Sequence, residues 1–237
     1  MTEKERIELA ELLFPNITKT REEYEEMYPE RDLPEGAMVT RYGPSPTGSV
    51  HLGNLLSAFA DMVYAKQTKG SFFLRIEDTD QKRKIDGGIE NITSILHDFD
   101  ILPTEGYSFG GNYGPYIQSE RTEIYQTYIK DLIVKGLAYP CFMTEEEQNN
   151  IKEEQAINKT KIGIYGMYAV DRDLSLEEVK EKLANNEEYV IRLKSPGNAN
   201  NQIEVIDCIK GKMKFPEHDM DTVLLKKDGT PTYHFAH

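Results

Sequence analysis

An arginine, a histidine and three closely spaced carboxylates are the chemistry-bearing residues of the first third of this chain. The stretch "TRYGPSPTGSVHLGN" (40–54) gathers Arg41, Ser45, Thr47, His51 and Asn54 with Gly43, Gly48 and Gly53 and two prolines. A guanidinium clamps a carboxylate through two parallel N–H bonds. The glycines let backbone approach a ligand, and Pro44 and Pro46 fix φ and restrict the residue before each. A helix predicted to start near Gly53 offers unpaired N–H groups and a positive dipole end, which suit a phosphate. Ser45, Thr47 and His51 add side-chain donors. "RIEDTDQKR" (75–83) then supplies Glu77, Asp78 and Asp80, which can receive an ammonium group. Anion, cation and phosphate sites together fit an amino acid beside a nucleotide. Each feature also has a plainer use: a tight connection, a helix-capping histidine, or an Arg41–Glu77 ion pair across neighbouring strands. The loop is neither Gly-x-Gly-x-x-Gly nor a Walker loop.

The elements around these residues follow from periodicity. "AMVTRYG" reads as a strand. A helix follows from Gly53 to about Lys69, with Leu56, Phe59, Ala60 and Val63 on one side and Gly70 as its stop. "SFFLRIE" is a strand with a nearly continuous apolar run, as in a sheet buried on both faces. "KIDGGIENITSILHDFDI" and residues 119–135 read as helices. This is the βαβ pattern of a parallel, doubly wound sheet, where ligands bind beyond the carboxyl ends of the strands. Residues 1–37 form a helical preface: Thr2 with Glu5 and Thr20 with Glu23 have capping-box spacing, and Ile7, Ala10, Leu13 and Phe14 mark one face. After Gly136 the pattern changes. Thr144 with Glu147 and Ser175 with Glu178 open polar helices, and "YVIRLK", "QIEVIDCIK" and "TVLLKKDGTPTYHF" read as short strands, the last with an Asp-Gly turn. The expected domains are a preface at 1–37, half of a doubly wound domain at 38–137, an α+β module at 138–229 and a return to the first domain at 230–237.

Composition bounds the class. The 237 residues are 38% hydrophobic and 29% charged, as in an ordinary soluble globule. No apolar run is long enough to span a bilayer, and "MTEKERIELAEL" lacks the apolar core of a secretory signal. Two cysteines, Cys141 and Cys208, exclude a disulfide framework and a four-cysteine zinc site, so a reducing cytoplasm is the expected compartment. The net charge of −13 argues against nucleic acid. The basic runs "QKRK" (81–84), "KGKMK" (210–214) and "LLKK" (224–227) read as solvated faces.

"PSPTGSVHLGN" followed by "LRIEDTD" resembles the catalytic core of class I glutamyl-tRNA synthetases, with "HLGN" (51–54) where that class has its His-Ile-Gly-His signature. "GPYIQSER" (114–121), "VIRLKSP" (190–196) and "LLKKDGTPTYHFAH" (224–237) resemble the family in the same order. The resemblance implies an α/β, Rossmann-like parallel sheet interrupted by an inserted α+β module that binds the tRNA acceptor stem. It implies attachment of L-glutamate to tRNA through glutamyl-adenylate, with ATP and Mg²⁺ and no membrane. By position, it gives Arg41 and Tyr233 the glutamate side-chain carboxylate, and Glu77 and Ser45 the amino group. His237 falls near the α-carboxylate. Gly43, Thr47, His51, Gly53 and Asn54 lie along ATP, with His51 and Asn54 closest to the chemistry.

Three departures qualify these expectations. Asn54 replaces the last histidine of the signature. Some relatives bind zinc in the insertion through closely spaced cysteines, whereas here Met143 stands near a lone Cys141 and "GIYGMY" supplies no cysteine, so no zinc is expected. No Lys-Met-Ser-Lys-Ser-like segment is present, which predicts an incomplete sheet, its second half and any anticodon-binding domain lying outside this chain. Full activity of the chain alone is then not expected, and an open sheet edge favours self-association of a protein that is otherwise a monomer. Two alternatives stand: the shorter relative that glutamylates the queuosine base of tRNA, and a non-catalytic nucleotide- or RNA-binding module.

Overall fold

The computed structural model describes residues 1–79, 83 and 85–237. Asp80 and most of the basic run 81–84 lie outside the described residues. In chain order the elements are α1 (Glu3–Leu13), α2 (Arg21–Met27), β1 (Val39–Tyr42), α3 (Leu52–Thr68), β2 (Ser71–Leu74), α4 (Gly88–Asp98), β3 (Glu105–Gly106), α5 (Thr122–Val134) and β4 (Ala138–Cys141). There follow α6 (Glu145–Ile157), α7 (Leu176–Ala184), β5 (Val190–Leu193), β6 (Gln202–Asp207), β7 (Gly211–Pro216), β8 (Val223–Leu225) and α8 (Tyr233–Ala236). The chain divides into two compact units: residues 19–125 with 236, and residues 1–18 with 126–235 and 237.

The first unit is α/β and Rossmann-like. Its sheet has the order β1-β2-β3, both pairs parallel, with Arg41 opposite Phe73 and Tyr42 opposite Leu74. One face carries the core: Phe72, Leu74 and Ile76 pack with Leu55, Ala58 and Ala65 of α3 and Ile89, Ile92 and Leu96 of α4. The face of α3 expected from sequence is rotated. Leu56 and Phe59 are exposed, as is Leu52, while Leu55, Ala58 and Ala65 are buried. Two apolar stripes compete on this helix, and the one with small residues at its centre lets the backbone approach the sheet. Lys69 ends α3 in the left-handed region at φ 56°, and the Gly70 N–H bonds the Ala65 carbonyl. A side chain at Gly70 would place its Cβ 1.8 Å from the Met38 carbonyl oxygen, so only glycine fits where the chain re-enters the sheet.

The opposite face is not a second apolar layer. Period-two alternation puts Arg41, Phe73, Arg75, Glu77 and Glu105 there. The buried Glu105 is held by Arg31, whose Nε donates to Oε1 at 3.1 Å, by the Tyr116 hydroxyl at 3.0 Å and by the Ser71 hydroxyl at 3.2 Å. Arg31 also lies over the Tyr113 ring, 3.8 Å from its centroid. Arg31→Leu is expected to cost about 2–3 kcal/mol, because it strands a buried carboxylate. Arg31→Leu with Glu105→Leu should recover most of the loss; urea unfolding of the two variants checks this.

The second unit is α+β. Its sheet β4-β5-β8 is antiparallel. Leu9, Ala10 and Leu13 of α1, Ile129 and Ile133 of α5, Leu176 and Val179 of α7, and Ile191 and Leu225 form one core. Ile7, expected on the buried face of α1, is exposed, and Leu9 takes its place. All four capping boxes form as spaced, at Thr2, Thr20, Thr144 and Ser175. The last two strand-like phrases end at β6 and β8. The run "KGKMKF" between them, unrecognised from sequence, is β7, paired with β6 in an exposed two-stranded hairpin. Among the described residues no helix is long and apolar enough to cross a membrane.

Candidate functional site

Arg41 is the penultimate residue of β1, opposite Phe73, and Glu77 lies three residues beyond the end of the neighbouring parallel strand β2. Arg41 Nη1 is 3.7 Å from Glu77 Oε1, so the two charges expected to flank a ligand are paired with each other. Arg75 Nε donates to the same oxygen at 3.3 Å. Gly43 explains how a ligand could reach them. A Cβ there would stand 3.3 Å from Glu77 Oε1 and 3.6 Å from Arg41 Nε, so the bare backbone leaves this space open.

The loop after β1 is fixed from behind. The Glu77 N–H bonds the Pro44 carbonyl at 2.9 Å, and the Ile85 N–H bonds the Pro46 carbonyl at 2.9 Å. Gly43, Ser45, Thr47, His51 and Asn54 line one cleft of about 370 Å³, floored by Tyr42 and Ile92. Tyr42 is buried, which raises its phenol above the ordinary value. Gly53 is beside this cleft rather than in it, facing the His51 ring: a Cβ there would stand 3.2 Å from Nδ1.

His51 is the residue before α3, and Asn54 is its third helical residue. The Asn54 Oδ1 accepts the His51 N–H at 3.2 Å, and the Asn54 N–H bonds the His51 carbonyl at 2.9 Å. Asn54 is thus a capping residue where the class signature has histidine. Asn54→Ala should cost about 0.5–1 kcal/mol, and Asn54→Asp, which keeps the acceptor, should cost less. Denaturant midpoints of both variants measure this.

Asp78 does not serve as an open carboxylate. It is 1% exposed, and it accepts the Ser119 N–H at 2.9 Å and the Ser119 hydroxyl at 2.7 Å. It ties the "QSER" turn to the end of the sheet. Asp61 of α3 has its carboxyl pushed up by burial, opposed by the charge of Arg41. Arg75 was missed by sequence reading, although its place two residues before Glu77 puts both on one face of an extended strand.

Tyr233 and His237 belong to the second unit. Tyr233 opens α8 and is largely exposed, and its ring centroid lies 4.1 Å from that of His237. Cys141, the lone cysteine from which no zinc site is expected, is buried in an apolar cluster with Tyr139, Met143, Ile164 and Ala169. Burial pushes its thiol up, away from the thiolate a zinc ion takes. Among the described residues no group of three His, Cys, Asp or Glu side chains is placed to hold a metal ion.

Residues 37–237 match the family model described as class I tRNA synthetases (E and Q), catalytic domain. The chain is 50% identical over 233 residues to a glutamate–tRNA ligase of Clostridium beijerinckii, covering 97% of this chain and 42% of that protein. It is 51% identical over 233 residues to a glutamate–tRNA ligase of Acetivibrio thermocellus, covering 43% of it. Among solved structures, a glutamate tRNA ligase from Elizabethkingia meningosepticum in complex with its amino acid matches with a TM-score of 0.71 at 39% identity, over 84% of this chain and 40% of that one. The chain therefore spans about two-fifths of the length of these relatives. With the family model matched across both compact units, and with the Pro-Ser-Pro-Thr-Gly loop, the Arg41–Glu77 pair and the parallel sheet in place, the chain belongs to the class I tRNA synthetases of the glutamate and glutamine type, within their catalytic domain.

Proposed function

We propose that this chain carries the amino-acid-activating site for ATP-dependent attachment of L-glutamate to tRNA. The observation that supports this most directly is the Arg41–Glu77 pair beside the loop cleft. A ligand carrying a carboxylate and an ammonium can take over both partners of that pair, Arg41 meeting the carboxylate and Glu77, with Ser45, the ammonium. An amide in place of the side-chain carboxylate would leave Arg41 with an uncharged, poorly matched partner, which favours glutamate over glutamine. The relatives' names, and the amino acid bound in the Elizabethkingia structure, point the same way.

In the first step the glutamate α-carboxylate oxygen attacks the α-phosphorus of ATP, the bond to the β-phosphate oxygen breaks, and pyrophosphate leaves with glutamyl-adenylate formed. In the second, a 3′-terminal ribose hydroxyl of tRNA attacks the acyl carbon and AMP leaves. The chain's part is to position the reactants and to meet the charge that builds on phosphate. Gly43, Thr47, His51, Gly53 and Asn54 take the nucleotide, which arrives with its Mg²⁺, and His51 at the head of α3 faces the phosphates. Residues 138–229 serve as the acceptor-binding module, whose exposed β6–β7 hairpin carries Lys210, Lys212 and Lys214, with Lys212 paired to Glu204 at 2.6 Å.

The test is glutamate-dependent ATP–pyrophosphate exchange with tRNA present, run beside the C. beijerinckii relative, together with calorimetric titration of the chain with L-glutamate, L-glutamine and ATP. Binding of glutamate and ATP, with glutamine at least tenfold weaker, supports the reading. Equal affinity for glutamate and glutamine, or binding of neither amino acid, overturns it.

A further inference from the structure

Glu77 presents a problem of charge. It is 6% exposed, and a carboxylate so buried needs a counter-charge at all times. If a ligand's carboxylate engages Arg41, that guanidinium can no longer be the constant partner of Glu77. The structure holds a second one. Arg75 Nε reaches Glu77 Oε1 at 3.3 Å, closer than Arg41 at 3.7 Å. Its side chain is 14% exposed, against 29% for Arg41. The more buried and closer arginine is the fixed support; the more exposed and more distant one is exchangeable.

We propose that Arg75 is a positioning residue that keeps the Glu77 carboxylate ordered and compensated while Arg41 changes partner from Glu77 to the carboxylate of the incoming amino acid. This deepens the glutamate reading and rests on it. Arg75 acts through Glu77, and Glu77 meets only the ligand's ammonium. The inference therefore separates ligands by whether they carry that ammonium.

The experiment uses the 237-residue chain, its Arg75→Ala, Arg75→Lys and Arg41→Ala variants, and three probes: L-glutamate, glutarate (the same carboxylates without the amino group) and ATP. Dissociation constants come from calorimetry, with thermal unfolding of each variant beside them. Arg75→Ala should weaken L-glutamate several-fold and glutarate about tenfold or more, because glutarate occupies Arg41 and brings no ammonium to Glu77, while ATP stays within twofold; Arg75→Lys should restore most of both losses. Arg41→Ala should weaken L-glutamate and glutarate alike. A structural defect would lower all three ligands together. A glutarate loss no larger than the L-glutamate loss in Arg75→Ala, or no loss for either, overturns the role of Arg75 and leaves the glutamate reading standing. Failure of the unmodified chain to bind L-glutamate overturns that reading and this inference with it.

Discussion

Asp221→Ala is expected to lower the stability of the second unit by about 3–5 kcal/mol, the largest effect of any single substitution considered. Asp221 is 1% exposed and is the acceptor on which several segments converge. Its Oδ2 accepts the Tyr139 hydroxyl at 2.9 Å and lies 3.5 Å from Arg172 Nε, and its Oδ1 accepts the Ser195 N–H at 2.9 Å. Its carbonyl accepts Arg192 Nη1 at 2.8 Å. Truncation removes the carboxylate but leaves a buried phenol, a buried N–H and a partly buried guanidinium to be satisfied. Burial and the neighbouring Asp221 charge already push the Tyr139 phenol well above its ordinary value, so it remains a donor in search of an acceptor at any ordinary pH. Asp221→Asn, which keeps an oxygen for Ser195 or Tyr139, should cost roughly half as much, because it forfeits the charge and not the whole hydrogen-bond set. Unfolding in urea, followed by a probe in the second unit, measures both. A cost below about 1 kcal/mol for Asp221→Ala would mean that water enters and replaces the carboxylate.

What was legible in the sequence was local. The four capping boxes form because a Ser or Thr and a Glu three residues later satisfy each other without help from the rest of the fold. The order of strand, loop, helix and strand, and with it the parallel sheet, follows from hydrophobic period and from the Pro-Gly breaks. The convergence of Arg41 and Glu77 was likewise readable, since they lie at and just beyond the carboxyl ends of adjacent parallel strands. What failed depended on choices made by packing. On α3 the larger side chains Leu56 and Phe59 suggested one face, but Ala58 and Ala65 are what allow close approach to the sheet. "SFFLRIE" looked apolar on both sides, yet its second face is a lattice of paired charges, Arg41, Arg75 and Glu77 beside Arg31 and Glu105. Asp78 looked as available as Glu77. Only the tertiary approach of Ser119 distinguishes them, and that approach has no signature in either segment. "KGKMKF" is a strand because β6 pairs with it, although its lysines alone suggested only a solvated surface.

Arg41→Ala is expected to weaken L-glutamate binding about 100-fold while leaving ATP binding within twofold and the fold intact. The magnitude is that of a charge-assisted, two-bond contact with a carboxylate lost from a partly desolvated site. The fold survives because Glu77 retains Arg75 at 3.3 Å, so no buried carboxylate is abandoned; a stability change within about 1 kcal/mol is expected. The contrast with Glu77→Ala sharpens the assignment. That change leaves Arg75, at 14% side-chain exposure, without its carboxylate partner, and it should lower both stability and glutamate affinity. Arg41 is therefore the member of the trio whose removal leaves the more buried Glu77–Arg75 pair intact. Calorimetric titrations with L-glutamate and ATP, beside denaturant unfolding, measure the three quantities independently. Parallel loss of glutamate and ATP affinity in Arg41→Ala would assign Arg41 to the shape of the loop rather than to the carboxylate, since Gly43, the first glycine of that loop, lies against its guanidinium.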